Sequence, residues 1–163
     1  MMNHLIFRPG TESDEKKIFG LYRAAIGTEG CTWNAEYPTM EILRDDIRRD
    51  AVFVMEQNGE IVGAISIDDD PQTDALSVWD IELRPAAEIS RVVVSDACRG
   101  CGIAPAMFCE LHKVLRYRNY RSVHYLVSPG NKKALHAYES LEYQRVGEAD
   151  LYDHRWYCYE KAL

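Results

Sequence analysis

Two short stretches of this chain put chemically useful groups at meaningful spacings. The first is Arg99-Gly100-Cys101-Gly102-Ile103-Ala104, between an apolar run that reads as a strand and a periodic stretch that reads as a helix. A strand feeding a helix through glycines exposes the first helical N–H groups, which have no partners inside the helix. Glycine accepts positive φ and lets backbone approach a ligand closely. Free amides at the positive end of a helix dipole suit a phosphate or diphosphate. Pro105 fits the first helical turn, where the donor it lacks would have had no intrahelical acceptor. Two glycines alone also describe an ordinary tight turn. The stretch lacks the Lys-Ser/Thr pair of a Walker loop, and its spacing is not the dinucleotide fingerprint. The second stretch holds Asn131, Ala134 and Tyr138, three and four residues apart on a predicted helix and so on one face. Asn131 follows Pro129-Gly130 and can cap that helix. Ala134 leaves room for something to lie along the face, and Tyr138 adds a hydroxyl. Taken singly, a capping Asn and a half-buried core Tyr would account for the same residues.

The elements that must position these groups follow from periodicity and turn chemistry. Residues 4–8 read as a first strand closed by Pro9-Gly10. Thr11 then caps a helix, with Asp14 as capping-box partner, and Ile18, Leu21, Tyr22, Ala25 and Ile26 form its apolar face. A second helix starts at Pro38-Thr39. Met40, Leu43 and Ile47 are its stripe, and Arg44, Asp45, Asp46, Arg48 and Arg49 are expected to face away. Residues 51–57 and 60–67 form a hairpin through the type I′ pair Asn58-Gly59. The acidic Asp68-Asp69-Asp70-Pro71 is expected to be a loop. Residues 88–94 form the next strand, and the run Val92-Val93-Val94 suggests burial on both faces. A helix over 103–118 follows, its buried face being Ile103, Met107, Leu111, Val114 and Leu115. Residues 122–127, 143–148 and 155–161 read as strands and 131–141 as a helix. A strand–helix–strand unit inside a largely antiparallel sheet makes the class α/β (α+β), with about seven strands in a mixed sheet and about four helices. Residues 1–163 are expected to form a single domain.

Composition narrows the partners. The formal net charge of −7 disfavours nucleic-acid binding, which needs a basic footprint. It mildly favours a cationic substrate through steering, although acidity for solubility alone is common. No apolar run reaches the roughly 18 residues of a membrane helix, so no membrane association is expected. No secretory leader is visible at the start. Five unevenly spread cysteines, Cys31, Cys98, Cys101, Cys109 and Cys158, fit reduced thiols and a cytoplasmic location.

The glycine turn and the later helix together resemble the GNAT superfamily of N-acetyltransferases. Arg99, Gly102 and Ala104 match its Arg/Gln-x-x-Gly-x-Gly/Ala motif, and Asn131, Ala134 and Tyr138 match its Asn-x-x-Ala-x-x-x-Tyr pattern. Val94 lies five residues before Arg99, where such proteins also carry a small aliphatic residue. The motifs cover roughly residues 88–143, and the element order covers the whole chain. Two positions depart from the pattern. Cys101 stands where Lys or Gln is frequent, and Glu142-Tyr143 replaces a frequent Gly-Phe.

The resemblance implies an acyl-CoA N-acyltransferase-like fold and transfer of an acetyl group from acetyl-CoA to a primary amine by direct attack, with no metal. Arg99, Gly100, Cys101, Gly102, Ile103 and Ala104 would hold the coenzyme diphosphate. Val92, Val93 and Val94 would pair with the pantetheine arm, and Asn131, Ala134 and Tyr138 complete the coenzyme set. Tyr138 would protonate the departing thiolate. Glu88 is the first candidate for general base, acting through water, with Glu82 and Asp80 as alternatives. Trp33, Tyr37, Trp79 and His154, with Tyr152 and Trp156, fall where the family builds its acceptor pocket. There, aromatic rings beside acidic groups could hold a cation, although core packing or a dimer face explains the same rings. The alternating Trp156-Tyr157-Cys158-Tyr159 also suits pairing with a second copy in a homodimer. An acyl-CoA-binding sensor without turnover is the alternative of another class. Cys98-x-x-Cys101 leaves open a thiol redox module, while zinc would need two further ligands that the spacing does not supply. His112 and His136 are expected at the surface.

Overall fold

The computed structural model describes residues 4–163. Seven strands, β1 (Leu5–Pro9), β2 (Val52–Gln57), β3 (Glu60–Asp68), β4 (Ala86–Val94), β5 (Ser122–Val127), β6 (Gln144–Leu151) and β7 (His154–Ala162), form one sheet in the order β1-β2-β3-β4-β5-β7-β6. The helices are α1 (Glu15–Ala25), α2 (Met40–Arg48), α3 (Pro71–Asp74), α4 (Ile103–Tyr117) and α5 (Lys132–Ser140). The mixed, mostly antiparallel sheet is the one expected. The short α3 is additional: Asp70 caps it through Gln72 N at 3.0 Å, and Pro71 suits its first turn.

The chain divides into two compact units, one comprising residues up to Ile67 with Arg91–Leu111, the other Asp68–Ser90 with His112–Leu163. In the first, β1 pairs antiparallel with β2, and β2 with β3. The β2–β3 turn has Asn58 at φ 53° and Gly59 at φ 82°, the left-handed pair a type I′ turn demands. The Thr11 N–H donates to Asp14 Oδ2 at 2.8 Å, and Thr39 Oγ1 accepts from Ile42 N at 3.1 Å. Ile18, Tyr22 and Ala25 of α1, Leu43 of α2, Val52 and Val54 of β2, Ala64 of β3 and Val93 of β4 form one buried cluster. Each large aliphatic side chain buried there contributes about 1.5–3 kcal/mol. Gly63 permits close packing, because a Cβ at that position would lie 2.9 Å from Met107 Sδ and 3.1 Å from the Val93 carbonyl oxygen.

In the second unit, Ala86, Ala87 and Glu88 of β4 pair parallel with Ser122, Val123 and His124 of β5. β5 and β6 both pair antiparallel with β7. Trp79, Ala149 and Cys158 form its buried cluster, with Leu76, Val78 and Leu126 against it.

Three expectations fail here. β4 alternates rather than being buried throughout: Ala87, Ile89, Arg91 and Val93 are buried, while Val92 and Val94 are half-buried. Asp46 does not face away from the core but is 1 % exposed, because Arg91 of β4 reaches it. His112 is 4 % exposed, and its Nε2 lies 2.5 Å from the Tyr143 hydroxyl.

Candidate functional site

The glycine turn belongs to the first unit. Ser95, just past β4, donates its N–H to the Val62 carbonyl at 2.8 Å, tying the end of the strand to β3. A 3-10 turn over Asp96–Cys98 follows. Arg99 then has φ −63° and ψ 142°, Gly100 has φ 74°, and Cys101 N donates to Cys98 O at 3.2 Å. This is a type II turn, whose third position requires left-handed φ and hence glycine. Gly102 has φ 79°, and α4 begins directly after it. The bond from Ala106 N to the Gly102 carbonyl, at 3.2 Å, closes the first helical turn. The N–H groups of Ile103 and Ala104 therefore precede the first intrahelical donor. Among the described residues, no heavy atom outside the adjoining residues lies within 4 Å of where a Cβ would sit on Gly100 or Gly102. The turn thus combines an open flank, a helix N-terminus and no acidic side chain in the first turn of α4. Arg99 holds Asp96 at 3.0 Å on the surface.

A buried ion pair lies in the same unit. Arg91 has φ 48°, in the left-handed region and inside a strand. Its Nε and Nη2 donate to the two Asp46 carboxylate oxygens at 3.1 and 3.0 Å, and its Nη1 donates to the Tyr37 hydroxyl at 3.1 Å. Arg49 adds a contact to Asp46 at 2.8 Å. Burial pushes the Asp46 carboxyl above its ordinary value, against the pull of Arg91 and Arg49. Tyr37 is 39 % exposed, and Trp33 meets Tyr22 edge-on at 5.4 Å. Of the expected acceptor-pocket residues, this unit therefore holds Trp33 and Tyr37, with Tyr37 anchored by a guanidinium. Nothing in the spacing of Asp46 and Arg91 signals their pairing. A lone basic residue in an apolar strand was the only sign.

Tyr138 belongs to the second unit. Asn131 caps α5, its Oδ1 accepting from Ala134 N at 3.2 Å, which accounts for the spacing of both residues. Tyr138 is 6 % exposed and meets Tyr125 at 4.8 Å and Tyr143 at 6.1 Å edge-on, with Tyr159 at 6.4 Å. Burial, with Tyr125 beside it, raises its phenol well above the ordinary tyrosine value. The group therefore holds its proton throughout the neutral range.

Glu88 is half-buried on β4, opposite His124 of β5 in register. Asp80 and Glu82 are exposed, and Asp80 caps a short 3-10 turn through Glu82 N at 3.0 Å. Trp79 is a core residue: it is 7 % exposed, stacks on His124 at 4.2 Å, and donates Nε1–H to the Thr73 carbonyl at 2.8 Å. Tyr152 is 53 % exposed and donates to Asp70, and His154 meets Trp156 edge-on at 5.7 Å. His124 is 1 % exposed, and among the described residues neither ring nitrogen has a hydrogen-bond partner. Burial pushes its imidazole down to about 4.

The sequence model of the acetyltransferase (GNAT) family matches residues 18–143. No curated protein matches the chain. Solved structures are similar over nearly the whole length. Ribosomal-protein-alanine N-acetyltransferase from Brucella melitensis is 23% identical with a TM-score of 0.77, covering 97% of this chain and 99% of its own. A GNAT family acetyltransferase from Streptococcus agalactiae is 20% identical with a TM-score of 0.79, covering 98% and 95%. The Salmonella typhimurium protein yncA, solved with its cofactor acetyl-CoA, is 18% identical with a TM-score of 0.76, covering 98% and 94%. At these identities the likeness is one of fold.

Proposed function

The chain belongs to the acetyltransferase (GNAT) family, and from that membership we propose that it moves an acetyl group from acetyl-CoA to a primary amine of a small molecule or peptide. The observation that carries this reading is the glycine turn. Two left-handed glycines with open flanks lead into the unpartnered amides of α4, an arrangement that fits a diphosphate. Arg99, Gly100, Cys101, Gly102, Ile103 and Ala104 would hold that diphosphate. The backbone of Val92, Val93 and Val94 would pair with the pantetheine arm, and Asn131 and Ala134 are further candidates for coenzyme contact. Acetyl-CoA supplies an activated thioester. The chain's own residues would orient it, exclude water and manage two protons.

Tyr138 would donate the proton that the departing sulfur takes. Its burial keeps the phenol fully protonated at neutral pH. A thiolate generated in equally dry surroundings loses hydration too, so donor and acceptor pKa values rise together. Glu88 would accept the proton that an ammonium substrate sheds before it attacks. The exposed ring of Tyr37 and the half-buried Trp33 are candidates for contact with the acceptor, and so, separately, is the exposed His154 of the second unit.

The test is acetyl-CoA consumption against a panel of primary amines and peptide N-termini. Tyr138→Phe should lower kcat about 100-fold or more while leaving acetyl-CoA affinity within a few-fold. Burial of Tyr138 among three other tyrosines is the one observation favouring the alternative, an acyl-CoA-binding sensor. Stabilisation by acetyl-CoA with no turnover on any amine would establish that alternative instead.

A further inference from the structure

The thiols of Cys98 and Cys101 have no part in the chemistry proposed above, where Cys101 enters only through its place in the glycine turn. The pair stands between β4 and α4, in a strand–helix–strand unit whose strands run parallel, the context in which a cysteine pair at a helix start reads as redox-active. The two cysteines are the first and last residues of the type II turn, joined by the bond from Cys101 N to Cys98 O. A β-turn brings its end Cα atoms within about 7 Å, and disulfides bridge Cα atoms roughly 4.4–6.8 Å apart. The side chains differ in access. Cys101 is exposed, and its Sγ folds back over the turn to the Arg99 carbonyl at 3.7 Å. Cys98 is half-buried, with its Sγ 3.7 Å from Gln57 Oε1. An accessible thiol beside a sheltered one is the layout of an attacking and a resolving cysteine.

We propose that Cys98 and Cys101 close a reversible disulfide across the glycine turn, and that closure weakens coenzyme binding there. The second half rests on the acetyl-CoA reading. With a small-molecule disulfide such as glutathione disulfide as oxidant, the Cys101 thiolate attacks one sulfur and the first glutathione leaves as thiolate. The Cys98 thiolate then attacks the Cys101 sulfur of the mixed disulfide and expels the second glutathione. The protein loses two electrons and the two thiol protons, and both appear in two molecules of reduced glutathione. Closure takes Cys98 away from Gln57 and Cys101 away from the Arg99 carbonyl. It subjects the turn to the fixed torsion of an S–S bond, so its amides can no longer settle around a diphosphate. By reciprocity, bound coenzyme opposes closure.

The experiment treats the full chain with glutathione disulfide and reads thiol titration, intact mass and peptide mapping. Acetyl-CoA is the binding probe because it carries no free thiol. The expected result is loss of two titratable thiols, a Cys98–Cys101 link, and acetyl-CoA affinity about tenfold weaker, restored by dithiothreitol. Cys98→Ser should bind acetyl-CoA as the reduced protein does and lose the oxidant response, while Cys109→Ser should keep that response. A glutathione adduct that persists on Cys101 of the unaltered protein would overturn the bridge. A bridge that forms without changing acetyl-CoA affinity would overturn the coupling. If reduced protein bound no acetyl-CoA, the functional reading would fall, while the thiol count would still decide the bridge.

Discussion

The two compact units bury ionisable groups in opposite ways. In the first, Asp46 and Arg91 are 1 % and 5 % exposed and satisfy each other through two hydrogen bonds, with Arg49 and Tyr37 completing the contacts. In the second, His112 and His124 are equally buried, His112 against the Tyr143 hydroxyl and His124 stacked on Trp79, and burial pushes both imidazoles down to about 4. A charge can leave water only with a matched counter-charge and hydrogen bonds. A titratable group without them stays neutral. The first strategy binds elements distant in sequence, α2 and β4, and fixes a residue at φ 48° within a strand. The second leaves a region whose stability depends on pH.

The sharpest test of this contrast is acid. Both imidazoles titrate near 4 when folded and at 6.5 in the reference state. Between those values the unfolded chain binds more protons, so stability is fully present above about pH 6.5 and is lost as pH falls towards 4. Two such groups give a slope of up to about 2.7 kcal/mol per pH unit in that window, read by urea titrations at several pH values. The Asp14 carboxyl acts lower. Hydrogen bonding from Arg8 holds it at about 2, so its contribution disappears only as pH drops from 3.8 towards 2. A flat profile between pH 6.5 and 4 would break the comparison.

Arg91→Ala should come next in size. It leaves the Asp46 carboxylate in the core without its principal partner, at a cost of about 3–5 kcal/mol, measured by chemical denaturation. A loss below about 1 kcal/mol would show that Asp46 behaves as a surface group. His124→Phe should sharpen the picture with a smaller change. The phenyl ring keeps the stack on Trp79 and removes two nitrogens that have no hydrogen-bond partner. Neutral-pH stability should then hold within about 1 kcal/mol or rise, and the acid slope should fall by about half. The smallest effect is expected of Arg48→Ala. This residue's pair with Asp45 is exposed on both sides, 74% and 52%, so the melting curve should shift by no more than about 0.5 kcal/mol.

Much of the architecture was legible in the sequence. The Asn58-Gly59 turn, the Thr39 cap, the α4 stripe of Ile103, Met107, Leu111 and Leu115 (though not the half-buried Val114) and the Asn131 cap all follow from rules acting over four or five residues. The glycine turn was legible for the same reason, since positive φ at Gly100 and Gly102 is a local demand. What was misread depends on distant partners. Val92-Val93-Val94 reads as a continuous apolar run, yet only Val93 packs into the core cluster. Asp46 reads as one charge among five on a polar face, and His112 as a polar-face residue.

The sequence by itself thus determined the order of the strands and the four longer helices, the family and the turn that fits a diphosphate, because each is written in local backbone preferences and short spacings. Only the tertiary structure decided that Asp46 meets Arg91 across 45 residues, that His112 meets Tyr143 across 31, and that Trp79 is core. The physical reason is that the state of a charge or an aromatic ring depends on the solvent and partners around it. Those are set by residues brought together only when the sheet and helices pack.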